Sequence, residues 1–238
     1  MLPILRILLG PLLLWQGRGV RASILRMPEG AGPRTGTIGA GAPLRLLVLG
    51  DSVGASVGAP TQAEGLSGQV LRHLSTDHAV TYRVLATTGW TTADTLAAVP
   101  ELREDSFDVA VISLGVNDIT TENGIKTWLA EYQKLLDLLA TRHGVMLAVL
   151  LGMPPMGRFP ALPQPLRWYL GQRAQAHDAA LADFAADHAV ALHVPIRPDL
   201  PPEAAAEDGF HPGPPFYEDF GVELDALIRA NLHRLEPA

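Results

Sequence analysis

Cysteine is absent from the 238-residue chain. That excludes a disulfide framework, a thiol nucleophile and a thiolate metal site, and it leaves the compartment open. Charge is sparse: charged residues make up 18%, with 25 acidic against 18 basic side chains and a net charge of -7. The basic footprint of a nucleic-acid binder is therefore missing. No Gly-x-x-x-x-Gly-Lys phosphate loop occurs, so nucleotide binding has no support. Internal repeats and low-complexity tracts are also missing. What the chain has is apolar residues, 47% of the total. At this length they suffice for one α/β domain with a full core.

Residues 2–15 are strongly apolar but interrupted by Pro3, Arg6 and Pro11, and Arg18, Arg21 and Arg26 follow. The run is shorter than the roughly 20 residues of a spanning helix. Three readings stand open. One is a secretory signal, to which Val20-Arg21-Ala22 loosely fits as a cleavage site and against which Arg6 interrupts the apolar run. Another is an amphipathic helix on a membrane surface, contacting lipid through residues 1–26. The third is a helix packed on the domain itself. Localisation stays open with them: membrane-associated, cytoplasmic or exported. Residues 28–43, rich in Gly, Pro and Thr, are expected to be a linker. The domain organisation read from this is an apolar segment and linker over 1–43 and one globular domain over 44–238.

From Leu44 the pattern is regular. Strands are predicted over 44–50, 80–86, 107–114, 145–151 and 190–194. Helices are predicted over 62–74, 91–99, 125–140 and 166–189, with a last one starting at Pro214 and Pro215. Thr91 or Thr92 is a suitable cap. Ile125, Leu129, Tyr132, Leu136 and Leu139 form one helix face, and Phe216, Phe220, Leu224 and Leu227 another. Strands alternating with helices imply a parallel sheet covered on both faces.

The first strand ends in Gly50-Asp51-Ser52-Val53-Gly54. Gly50 is expected to let the chain turn sharply, which puts Ser52 at the carboxyl end of the sheet, where ligands bind. As Gly-x-Ser-x-Gly the stretch also fits the nucleophile elbow of α/β-hydrolases. That elbow follows several strands, however, and here only one precedes it. A second glycine, Gly89, stands in Thr88-Gly89-Trp90 after strand two. Gly115-Val116-Asn117-Asp118 follows strand three, and Asp208-Gly209-Phe210-His211 lies near the C-terminus. A serine needs a base, imidazole titrates near neutrality, and an aspartate three residues away can orient it. Asp51 and Asp118 read as structural carboxylates bracing loop N–H groups.

These four blocks, in this order, resemble those of the SGNH (GDSL-type) hydrolases, over residues 44 to about 232. Val53 stands where that family's motif has Leu. The resemblance implies a flavodoxin-like α/β/α sandwich with about five parallel strands in the order 2-1-3-4-5. It implies Ser52 as nucleophile, His211 as base and Asp208 as orienting acid. The oxyanion hole it implies is the N–H groups of Ser52 and Gly89 with the Asn117 side-chain amide. The implied function is a serine esterase acting through an acyl-enzyme on a short-chain, lipid or lysophospholipid ester, with no metal or cofactor. The alternatives are an acyltransferase to a sugar or alcohol and a non-catalytic, membrane-tethered binding protein. The substrate-binding residues are unknown from sequence. The loop over 152–165, with Met153, Met156, Phe159 and Leu162, is a candidate acyl-pocket wall, a core cover or a partner of the N-terminal segment. Trp90 and Trp128 are expected in the core or a pocket wall. His177 and His188 have no ligand spacing and are expected to be solvated.

Overall fold

The computed structural model describes residues 2–23, 25–103, 105–121, 124–196 and 204–235, with side chains from residue 9 onward. Part of the proline-rich connection before Asp208 lies outside the described residues. In chain order the elements are α1 (Leu2–Ser23), β1 (Thr35–Ile38), β2 (Ala42–Gly50), α2 (Leu66–Leu74), β3 (His78–Ala86), α3 (Thr92–Ala98), β4 (Val109–Ser113), α4 (Val116–Thr120), α5 (Ile125–His143), β5 (Leu147–Leu151), α6 (Leu166–Ala186), β6 (Ala191–Val194) and α7 (Pro214–Ala230).

The sheet order is β1-β3-β2-β4-β5-β6. All neighbours from β3 to β6 pair in parallel. Those five strands have the expected 2-1-3-4-5 order, and the fold is a flavodoxin-like sandwich. β1 adds an antiparallel edge, with Thr35 opposite Arg83 and Ile38 opposite Val80. It comes from the stretch expected to be a linker. Its four exposed residues carry no buried alternation, so nothing in their pattern marks a strand.

The central strands are buried on both sides, as parallel strands are. Leu47, Leu49, Ala110, Ile112, Ala148 and Leu150 face one core, completed by residues of α5 and α6 such as Tyr132, Leu139 and Leu181. Leu46, Val48, Val109, Val111, Leu147 and Val149 face the other, under α2 and α7. The α5 stripe runs through Trp128, Tyr132, Leu135 and Leu139, while Ile125 and Leu129 are only half-buried. Thr91 caps α3 in a full capping box with Asp94, which satisfies two otherwise unpaired N–H groups. The helix expected from residue 62 starts at Leu66. Gln62 instead turns inward and donates to the Gly30 and Ala55 carbonyls.

Two expectations are corrected. His177 is buried, 2% exposed. Its Nδ1 lies 2.8 Å from the Arg173 carbonyl, and its ring packs 5.1 Å from that of Trp128. α6 packs on β6, α5 and α1, and His177 lies on its buried face with Ala174 and Leu181. His188, half-buried, reaches Gln133 at 3.2 Å. Gly50 is the second correction. It does not turn the chain but ends β2 in register with Ser113. Glycine is required by close approach, because a Cβ here would overlap the Ser113 carbonyl oxygen.

α1 packs on α6 through Leu9, Leu13 and Val20. Gln16 fixes it, donating to the Gln164 carbonyl and accepting from the Leu166 N–H. Leu12, Leu14 and Trp15 stay exposed. Among the described residues, no helix is long and apolar enough to cross a membrane.

Gly50→Ala should lower stability by about 1–3 kcal/mol, the usual cost of overpacking a filled site. Denaturant titration of the variant and the parent checks this.

Candidate active site

Ser52 begins the turn that leaves β2. The Asp51 N–H donates to the Ser113 carbonyl at 3.1 Å, tying the turn to β4. Bonds from the Ala55 N–H to the Asp51 carbonyl and from the Val57 N–H to the Ser52 carbonyl, both 2.9 Å, close the turn helically. The Ser52 hydroxyl is thereby held at the sheet's carboxyl end, half-buried.

His211 arrives on a tight loop. The Ala206 N–H donates to the His211 carbonyl at 2.8 Å and the Gly213 N–H to the Ala204 carbonyl at 2.7 Å. Asp208 organises the loop's tip, its Oδ1 accepting the N–H groups of Phe210 and His211, each at 2.9 Å. Its Oδ2 lies 2.6 Å from His211 Nδ1. The other ring nitrogen, Nε2, lies 3.0 Å from Ser52 Oγ. Burial raises the pKa of Asp208, but the bonds from the His211 ring and the two backbone N–H groups outweigh it, and the net shift is downward. The carboxylate is thus ionised near neutrality, and its charge favours a proton on Nδ1.

Gly89 sits opposite, with φ +89. L side chains rarely adopt that conformation. A Cβ there would meet open space, so backbone conformation and not crowding requires glycine. Among the described residues, neither the Ser52 nor the Gly89 N–H donates to a backbone carbonyl. Asn117 lies on the short α4. Its amide nitrogen donates to the Trp90 carbonyl at 2.9 Å and to Asp51 Oδ2 at 3.3 Å. The structure therefore gathers Ser52, Asp208 and His211 into one hydrogen-bonded chain. It also puts Gly89 and Asn117 with Ser52 and His211 on a shared cavity wall.

The two other aspartates brace this wall. Asp118 accepts from the N–H and hydroxyl of Thr92, and Thr92 accepts from the Trp128 indole at 3.0 Å. Asp51 accepts from the Val53 N–H at 3.1 Å. Full burial, with the Asp118 charge nearby, pushes the Asp51 carboxyl up to about 7.

Sequence reading missed Glu29. Its Oε1 accepts the Thr88 N–H at 2.7 Å and the Thr88 hydroxyl at 2.9 Å. Its Oε2 accepts from Arg34 at 2.6 Å, and Arg34 donates to the Ala86 carbonyl. The supposed linker thus clamps the loop carrying Gly89. No signal short of the fold pairs residues so far apart.

Two cavities meet at Ser52 and His211. One, about 360 Å³, is lined by Leu151, Met153, Phe159, Ile196 and Phe216 among others. The other, about 770 Å³, lies between α1, α6 and the loops of Gly89 and Asn117. The loop over 152–165 serves both: Met153 and Phe159 line the first, Met156 and Leu162 the second. Among the described residues, no three His, Asp or Glu side chains cluster as a metal site.

Residues 48–218 match the GDSL-like Lipase/Acylhydrolase family. The chain belongs to that family. Solved structures of similar fold include TesA, 22% identical over 81% of this chain and 99% of that one, with a TM-score of 0.58. The psychrotrophic esterase EstA from Pseudoalteromonas sp. is 18% identical over 79% of this chain and 98% of its own, with a TM-score of 0.57. Axe2, an acetylxylan esterase from Geobacillus stearothermophilus, is 19% identical over 83% and 96%, with a TM-score of 0.53. No curated protein sequence matches the chain. In this GDSL-type protein the family match begins inside β2, so α1, Glu29 and β1 all lie outside it.

Two predictions follow from the bracing groups. Glu29→Ala frees the Gly89 loop and should lower kcat for ester hydrolysis by about tenfold to a hundredfold, the cost of a small misplacement, with KM little changed. Steady-state kinetics beside a melting curve checks it. The folded state holds a proton on Asp51 that the unfolded chain, with an ordinary carboxyl near 3.8, has already released. Stability should therefore fall as pH rises from about 4 to 7. Asp51→Asn should flatten that part of the profile, as read by denaturant titration at each pH.

Proposed function

We propose that this protein is a serine esterase that forms an acyl-enzyme on Ser52. The Ser52–His211–Asp208 hydrogen-bonded chain, at 3.0 and 2.6 Å, is the observation that carries the reading. Ser52 Oγ attacks the ester carbonyl carbon while its proton passes to His211 Nε2. The carbonyl π pair moves onto oxygen, and Asp208 stabilises the imidazolium. Collapse of the adduct breaks the bond to the alcohol oxygen, which takes the proton from Nε2. Water then attacks the acyl carbon, gives a proton to Nε2, and a second collapse releases the acid and restores the Ser52 hydroxyl.

The oxyanion would be held by the N–H groups of Ser52 and Gly89 and by the Asn117 amide. An asparagine amide has two hydrogens, and both are engaged here. The 3.3 Å bond to Asp51 is the longer one, and its hydrogen is the one assigned to the oxyanion. The apolar walls of the smaller cavity suit the acyl chain.

Ser52→Ala should abolish hydrolysis of p-nitrophenyl esters and labelling by a fluorophosphonate, with the fold retained. Full activity in that variant would overturn the reading. Asn117→Ala should lower kcat on the order of 10²–10³-fold while still labelling slowly at Ser52. Turnover per labelled site, with a melting temperature, separates this from a loss of stability.

A further inference from the structure

The larger of the two cavities has an unusual charge. Arg18, Arg21 and Arg26 from the N-terminal segment and Arg173 from α6 line it, and no aspartate or glutamate does. The chain as a whole carries a net charge of -7, so four cations on one wall are not a sample of the surface. Among the described residues, Arg18, Arg21 and Arg26 have no ion-pair partner. The same cavity wall includes Ser52, Gly89, Asn117 and His211. Three of these four arginines precede residue 48, where the match to the family begins.

We propose that this cavity is a subsite for a phosphate-bearing alcohol portion of the ester. The proposal rests on the esterase reading of Ser52 and adds the class of substrate to it. The smaller cavity has a single arginine, Arg158, offset by Asp51 and Glu207 on the same wall, whereas an acyl chain gains from burial against its apolar side chains. A phosphate gains charge-assisted, often bidentate bonds from guanidinium groups. Ser52 and His211 stand where the two cavities meet, so the scissile bond lies at the junction. The acyl group then points into the smaller cavity and the alcohol oxygen into the larger. After acyl transfer the alcohol leaves with its phosphate, taking its proton from His211 Nε2. Gln16 fixes α1 on α6 through Gln164 and Leu166, which gives the α1 arginines a defined position over the site.

The test compares butyryl glycerol with butyryl glycerol 3-phosphate, which differ only by the phosphate. The full-length parent should prefer the phosphate ester in kcat/KM, and added salt should erode the preference. Combined substitution of Arg18→Gln, Arg21→Gln and Arg26→Gln should cut the preference ratio by about tenfold or more, mainly through KM. Arg72→Gln, on α2 and paired with Glu218, should leave the ratio unchanged. Equal loss on both esters, or no preference in the parent, would overturn the proposal. Calorimetry of glycerol 3-phosphate on Ser52→Ala protein tests the subsite without turnover. Binding that disappears when the three arginines are also replaced supports it, and no binding overturns it even if the esterase reading stands. Conversely, binding without turnover of any ester would remove the esterase reading and keep the anion site. Repeating the assay with a long-chain acyl glycerol phosphate in neutral vesicles tells a lipid headgroup from a soluble phosphate ester.

Discussion

The hydrogen bond between Ser52 and His211 joins residues 159 apart in the chain, and the architecture exists around the constraint of closing it. Ser52 is fixed by the middle of the sheet. β2 pairs with β3 on one side and β4 on the other, and the Asp51 N–H is tied to β4. His211 is fixed by a loop that Asp208 holds together with three hydrogen bonds. That loop leads into α7, whose Tyr217 hydroxyl donates to the Val57 carbonyl at 2.6 Å, just past the Ser52 turn. Serine and histidine thus sit on two short, self-bonded loops anchored to one core, so little conformational entropy remains to be lost in holding the bond between them.

The carboxylates of the site divide by environment. Asp208 is accessible only to its partners, and hydrogen bonds keep it ionised. Asp51, one residue from Ser52, is buried with fewer donors, and its carboxyl is driven towards the neutral form. A second full charge beside Ser52, the proposed nucleophile, would oppose an oxyanion. A carboxyl whose ionisation is costly sets the geometry of Val53 and Asn117 with less of that opposition. The cost is borne as stability, through the pKa that burial has raised.

The N-terminal region has a larger part in the site than its composition suggests. Glu29 and Arg34 hold the Gly89 loop, and β1 covers the edge of β3. Gln62 is buried, and its side chain joins the Gly30 carbonyl to the Ser52 turn through the Ala55 carbonyl. α1 roofs the larger cavity. α1, Glu29, Arg34 and β1 all precede the residues that match the family.

The sequence alone determined the sheet and the candidate residues at its ends, for local reasons. The apolar run of β2 ending at Gly50, and the runs leading to Gly89 and Asn117, each mark a strand and the loop behind it. The three-residue separation of Asp208 and His211 makes their contact a property of one loop. Strand order was implied by the resemblance to the SGNH hydrolases and not by any local pattern. Tertiary structure decided everything carried by partners distant in sequence. It put His177 in the core by packing that face of α6 against Trp128 of α5. It made Gly50 necessary through Ser113, and it turned an exposed four-residue stretch into β1. Glu29 reached Thr88, and the arginines of the N-terminal segment came to line a cavity that Ser52 also lines. A side chain's type and local spacing are written in the chain, but which distant atoms surround it depends on how the layers pack, and no local pattern encodes that.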